Sequence, residues 1–164
     1  MKKIRFLTTA AVIAALYAAL TYVFSFMSYL PGQLRLAEIL TVLPFYTPAA
    51  IPGLALGCVL ANIGSPLGPI DIVVGDSATL LAAILSRVMP KKIVPIPPII
   101  CNAIIVAIEF HYLQNAPFVP TMLSVALGEA IVCIVGGYPL MIALDRLSGR
   151  IFDKKQVGDK HLFY

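Results

Sequence analysis

From Phe6 to Met27 the chain runs without a charged residue, and comparable apolar runs recur along its length. A helix needs about 20 mostly apolar residues to cross the hydrocarbon core of a bilayer. Only 12% of the 164 residues are charged and 60% are hydrophobic, whereas a soluble domain carries about 25% charged residues. So few charges cannot supply the polar shell of a soluble fold. The sequence predicts an all-α integral membrane protein. Met1-Lys2-Lys3-Ile4-Arg5 ahead of the first run has the outline of a signal peptide. The run is longer than the roughly 7–15-residue core of such a peptide, and others follow, so it is read as a retained first helix.

Six spans are expected, at about 4–27, 36–46, 49–63, 70–89, 93–113 and 118–147, with 148–164 as a polar tail. Together they form a single transmembrane domain over 1–164. Pro44, Pro48 and Pro52 argue against one straight helix from 36 to 63. Gly64-Ser65-Pro66-Leu67-Gly68-Pro69 marks a turn or re-entrant element. Six spans with the N-terminus inside put Lys2, Lys3, Arg5, Arg87, Lys91, Lys92, Arg146, Arg150, Lys154, Lys155 and Lys160 on the cytoplasmic side and leave Arg35 outside. Merging the second and third spans would expel Arg87, Lys91 and Lys92, against the positive-inside bias. The expectation is a multi-pass protein of the cell membrane with both termini cytoplasmic. The net charge of +4 then reflects span flanks and implies no nucleic-acid partner.

Five acids, Glu38, Asp71, Asp76, Glu109 and Glu129, fall within spans or at their outer ends, with Arg35 as the basic residue among them. A charge at mid-bilayer depth costs about 2.5–3.5 kcal/mol on insertion scales and usually faces a partner or an enclosed site. This surplus of acceptors suits a cation or a ligand rich in N–H donors. Plainer roles compete. Arg35 and Glu38 have the spacing of a surface pair, Asp71 and Asn62 could cap helices, and Asn102 could glue two helices together. Glu129, deep in the last span with no basic neighbour in sequence, is the acid hardest to explain structurally.

Two alanine ladders occupy the first span, Ala10-Ala14-Ala18 and Ala11-Ala15-Ala19. Small residues four apart let helix backbones approach closely, either within the chain or against another membrane subunit. Cys58, Cys101 and Cys133 lie in apolar runs without metal-type spacing and read as small packing residues. No metal site is expected, since His111 and His161 are isolated. No phosphate loop, zinc-protease motif or nucleophile elbow is present, so the chain is read as a non-enzyme that does not use ATP itself.

Gly32-Gln33-Leu34-Arg35-Leu36-Ala37-Glu38, the block from Gly53 to Asn62, Ser65-Pro66-Leu67-Gly68-Pro69-Ile70-Asp71, Gly75-Asp76 and Gly128-Glu129 resemble the QueT family over nearly the whole chain. Members are S components, the substrate-binding subunits of energy-coupling factor (ECF) importers for queuosine precursors. The resemblance implies an S-component-like bundle of six helices with an outward-facing pocket closed by the loop between the first two spans. It also implies a transmembrane T component docked on the alanine ladder and two cytoplasmic ATPases that hydrolyse ATP. The implied cargo is a 7-deazaguanine such as preQ1, with preQ0 or queuine as the alternatives. Arg35, Glu38, Asn62, Asp71, Glu109 and Glu129 are the expected binding residues. Gln33, Asp76, Asn102, Tyr29, Tyr112 and Phe110 stand in support, the aromatics as stacking partners. The competing reading is a stand-alone carrier for a small cationic or purine-like solute, with Glu109 and Glu129 as a proton relay.

Overall fold

The computed structural model describes residues 2–28, 34–65 and 67–151. These residues are helical almost throughout, with no strand among them. Helix α1 spans Lys2–Val23 and a short α2 spans Ser25–Ser28. A 3-10 segment, Leu36–Val42, leads into α3, Leu43–Tyr46. Then come α4 (Ala50–Asn62), α5 (Pro69–Val88), a 3-10 turn (Lys91–Ile93), α6 (Ile96–Gln114) and α7 (Phe118–Ala130). A π segment, Ile131–Gly136, joins α7 to α8, Gly137–Ile151.

The expected break between the second and third apolar segments has a local cause. Pro48 disfavours a helical conformation at the preceding residue, and Thr47 is extended, with φ −144° and ψ 132°. That leaves carbonyls at the end of α3 without helical partners. The Arg87 guanidinium reaches across from α5 and donates to the carbonyls of Pro44 and Phe45, at 2.9 and 3.3 Å. Before α5, Gly68 has φ +74° and ψ −153°, a conformation open to glycine alone. Asn115 ends α6 in the left-handed region, with φ 53°, which asparagine tolerates better than most residues.

Contacts fix the direction of each segment. Gly53 faces Ala10, Gly57 faces Ala14 and Tyr17, and the Tyr22 hydroxyl donates to the Leu60 carbonyl, so α1 and α4 run the same way. Glu38 lies against Tyr17 while Tyr46 reaches Asp145, so the segment between them runs back. Asn62 meets Asp71 and Cys58 meets Thr79, setting α5 opposite to α4. Asn102 meets Glu129, and Phe110 packs with Val125, setting α6 opposite to α7. The six apolar segments thus alternate, and the first and last begin and end at the same end of the bundle. Four stretches are long and apolar enough to cross a membrane: Lys3–Val23, Pro69–Val88, Lys91–Gln114 and Phe118–Leu147. Leu36–Tyr46 and Ala50–Asn62 are shorter; 13 residues of α-helix reach about 20 Å, less than a hydrocarbon core of about 30 Å.

The outside of the bundle is apolar. Leu7, Val73, Ile100, Leu123 and Leu127 are each more than half exposed, on four different helices. A water-soluble surface does not carry so continuous an apolar face, and lipid is its natural solvent. The core gathers Tyr17, Val42, Phe45, Leu54, Val94 and Met141 between α1, the 3-10 segment, α4 and α8.

Helices α1 and α4 touch backbone to backbone. A Cβ on Gly57 would sit 2.7 Å from the Tyr17 Cβ and 2.9 Å from the Ala14 carbonyl oxygen, and one on Gly53 would sit 2.8 Å from the Ala10 oxygen. The Ala10-Ala14 register is therefore buried within the chain, whereas Ala11, Ala15 and Ala19 are exposed. Gly57→Val is expected to lower the unfolding temperature of the detergent-purified protein sharply, overpacking of this kind costing about 1–3 kcal/mol or more. Ala15→Leu should leave that temperature unchanged. Equal melting of both variants would contradict the assigned register.

Candidate functional site

Non-helical and helical pieces bring distant acids together. Arg35 caps the 3-10 segment in an extended conformation, which turns its side chain inward, 5% exposed. Three residues on, Glu38 is fully buried. Tyr17 of α1 donates its hydroxyl to Glu38 Oε1 at 2.5 Å, and the Thr79 hydroxyl of α5 lies 3.4 Å from the same oxygen. Thr41 holds the turn by donating to the Glu38 carbonyl at 2.6 Å.

The second half comes from α6 and α7. Glu129 is 1% exposed and accepts from Asn102 Nδ2 at 3.0 Å on Oε1. The Cys133 thiol, one turn later in the π segment, lies 3.5 Å from Glu129 Oε2 and 3.8 Å from the Glu38 carbonyl. Glu38 and Glu129 repel each other through space. At the far side, Asn62 Nδ2 donates to the Asp71 carbonyl at 3.0 Å and to Cys58 Sγ at 3.5 Å. Glu109, 4% exposed on α6, experiences Asp71 as a like charge and Arg35 as an opposite one. Arg35 interacts with Glu38 and Asp71 as well, and its Nη1 lies 3.9 Å from Cys58 Sγ. One guanidinium thus serves two acid pairs, Glu38 with Glu129 and Asp71 with Glu109.

The polar accounting does not close here. Arg35 Nε, Glu38 Oε2, Asn62 Oδ1, Asp76 Oδ1 and both Glu109 oxygens are buried with no hydrogen-bond partner among the described residues. Each unsatisfied buried group costs about 1–3 kcal/mol, more when charged. The tally is lopsided, with five acceptor atoms against one donor. Chemically, what these atoms lack is mostly donors.

The plainer readings of several residues fail on geometry. Arg35 and Glu38 are buried rather than a surface pair. Asp71 makes no capping bond at the start of α5, and the Asn62 side chain crosses to α5 instead of capping α4. Asn102 does join two helices, and the group it joins to is Glu129. Asp76 is half-buried on α5, and among the described residues no hydrogen bond or electrostatic interaction joins it to the cluster. Tyr112 lies outside it, 79% exposed beside His111, and Phe110 is packed into an apolar cluster with Val106 and Val125. Neither ring is placed to stack on a group held by the acids. Tyr29 and Gln33 fall outside the described residues.

Tyr17, Thr79, Cys58 and Cys133 belong to the site although the sequence reading did not single them out for it. Two spacings carried a signal: Cys58 precedes Asn62, and Glu129 precedes Cys133, by four residues, placing each thiol one turn from a polar group. All three cysteines are free and buried, and no group of metal-ligating side chains occurs among the described residues. Asn102→Ala removes the amide donor from Glu129 and is expected to destabilise the protein by about 1–3 kcal/mol. Asn102→Asp, which adds a like charge, should destabilise it more, and Tyr112→Ala should change nothing. Thermal unfolding of the three variants ranks them, and an innocuous Asn102→Asp would refute the pairing.

The QueT transporter family matches the chain over residues 7–146. A curated relative, the queuosine precursor transporter QueT of Lactococcus lactis subsp. cremoris (strain MG1363), is 26% identical over 162 residues, covering 88% of this chain and 93% of that protein. No solved structure matches the chain. The matched region runs from within α1 through most of α8 and takes in every residue of the acid cluster, and on that match the chain belongs to the QueT transporter family.

Proposed function

We propose that this protein is the substrate-capturing S component of an ECF importer and that its cargo is a 7-deazaguanine such as preQ1, with the cationic preQ1 preferred over the uncharged preQ0. The observation that carries the substrate is the surplus of buried, unpartnered acceptors around one guanidinium. PreQ1 offers the complement: a guanine-like edge with several N–H donors, an aminomethyl cation, and a carbonyl that can accept from Arg35 or an amide. Carboxylates take parallel N–H pairs from such an edge, and charge assistance roughly doubles the strength of each bond. The amides of Asn62 and Asn102 both donate and accept, which suits the carbonyl and ring nitrogens.

The proposed orientation puts both termini in the cytoplasm. The end of the bundle where α1 begins and α8 lies carries Lys3, Arg5, Arg87, Lys91, Lys92 and Arg146, a concentration that the positive-inside rule places there. In this frame Leu36–Tyr46 and Ala50–Asn62 complete six spans, and the acid cluster lies toward the outer face. ATP is hydrolysed by two partner ATPases, and the T component docks on α1. Of the two ladders, the register Ala11-Ala15-Ala19 is the one the fold leaves open, framed by exposed Leu7, Val12 and Leu16.

Calorimetry on the detergent-purified protein tests the substrate. PreQ1 should bind, Glu38→Gln and Glu129→Gln should each weaken it roughly 10- to 100-fold, as expected for bonds to charged groups, and Asp71→Asn should weaken it by less. Unchanged affinity in all three would remove the site. Ala15→Leu should keep ligand affinity and abolish copurification with the T component. Uptake by the isolated protein in proteoliposomes, driven by a pH gradient, would replace this reading with a stand-alone carrier.

A further inference from the structure

The four carboxylates are not equivalent, and the difference assigns them to different parts of the ligand. Glu38 is braced on Oε1 by Tyr17 and Thr79, and Glu129 is braced by Asn102 and Cys133. Braced carboxylates point fixed lone pairs and suit a flat, directional edge. Among the described residues Glu109 has no hydroxyl, amide or thiol brace of that kind; the groups that act on it are the Asp71 carboxyl and the Arg35 guanidinium. Both its oxygens are buried without a donor among the described residues, and Asp71 adds a like charge beside it. A carboxylate in that position is stabilised most by a compact cation bearing several N–H donors, which is what an ammonium is.

We infer that Glu109, seconded by Asp71, is the counter-ion for the ligand's aminomethyl cation and hence the residue that selects cationic from uncharged deazaguanines, while Glu38, Asn102 and Glu129 read the guanine edge. This rests on the proposed function of the same cluster. Asn102 and Glu109 are seven residues apart on α6, about 10 Å along the axis, so edge and amine would be met at separate places on one helix. Arg35 interacts with both acid pairs, and as the donor-bearing cation of the cluster it suits the ligand's carbonyl. The basic side chains near the other end cannot substitute: Lys91 is paired with Asp145, and Arg87 serves the carbonyls of Pro44 and Phe45.

The test is a ratio of affinities. The wild-type protein is titrated with preQ1 and with preQ0, which replaces the aminomethyl group by an uncharged nitrile. PreQ1 is expected to bind about 10- to 100-fold tighter. Glu109→Gln should weaken preQ1 by a similar factor and leave preQ0 within about 2-fold, collapsing the ratio toward one. Asp71→Asn should reduce the ratio less. Glu129→Gln should weaken both ligands alike and preserve it. A ratio that survives Glu109→Gln, or one that collapses in Glu129→Gln and not in Glu109→Gln, overturns the assignment while leaving the substrate site standing. Wild-type protein that binds neither ligand overturns the proposed function itself. A melting temperature measured on each variant separates lost folding from lost recognition. Should Glu109→Gln fail to fold, the ratio measured on Asp71→Asn decides, and an unchanged ratio there refutes the inference.

Discussion

A single buried guanidinium holds the architecture of this site together. Arg35 is withdrawn from solvent and interacts with Glu38, Asp71, Glu109 and Glu129, which arrive on four different elements. Burying one charge costs several kcal/mol after relaxation, and an unpaired carboxylate costs as much again. Arg35 and the acids can therefore occupy the interior only together. The chain must bring the loop before the 3-10 segment, the start of α5, the end of α6 and the end of α7 to one place, and the alternating order of the segments does this. With one cation against four acids, however, the compensation is incomplete by construction. That imbalance is what the proposed binding of an N–H-rich ligand would answer.

Departures from regular α-helix are what set Glu38 beside Glu129. The 3-10 segment advances about 2.0 Å per residue, more than an α-helix, and turns Ala37, Glu38, Thr41 and Val42 all inward. Opposite it, the last span widens into a π segment just after Glu129, so Cys133 closes back on both Glu129 and the Glu38 carbonyl. The two segments can approach because Gly136 and Gly137 lie at the crossing. A Cβ on Gly136 would come within 2.5 Å of Ile39 Cδ1, and one on Gly137 within 3.1 Å of Val42 Cγ1. Pi-bulges occur often at functional sites, and here the widening delivers a carboxylate and a thiol to the same place.

The all-helical fold, the break at Thr47-Pro48 and the burial of Glu38, Asp71, Glu109 and Glu129 were legible from proline placement, hydropathy and the scarcity of charge. Those signals are local or compositional, and each reports a constraint that lipid enforces directly. The partners of the acids were less legible. Tyr17 and Glu38 are 21 residues apart, and Asn102 and Glu129 are 27 apart; no periodicity encodes such meetings. Aromatic residues misled for the same reason. Tyr112 and Phe110 sit within three residues of Glu109, yet a helix turns 100° per residue, and one faces outward while the other enters an apolar cluster. The two alanine ladders are identical in sequence terms. Only the glycines of α4, packed on Ala10 and Ala14, distinguish the internal register from the open one.

The two ends of the bundle differ in how completely their polar groups are answered. At the end with the cations, Lys91 pairs with Asp145 at 2.7 Å, the Tyr46 hydroxyl lies 2.9 Å from Asp145 Oδ1, Ser86 donates to the Val94 carbonyl and Tyr138 to that of Lys92. A cleft of about 300 Å³ opens there between Lys91, Tyr138 and Ile142, and its ion pair is already made. Around Arg35, by contrast, buried carboxylate and amide oxygens have no donors among the described residues. Native proteins answer nearly all their buried polar groups, and where they do not, the exception marks function. The cleft offers a ligand little that its own ion pair has not already satisfied. The polar accounting points instead to the acid cluster, because a ligand gains most where the fold has left the most undone.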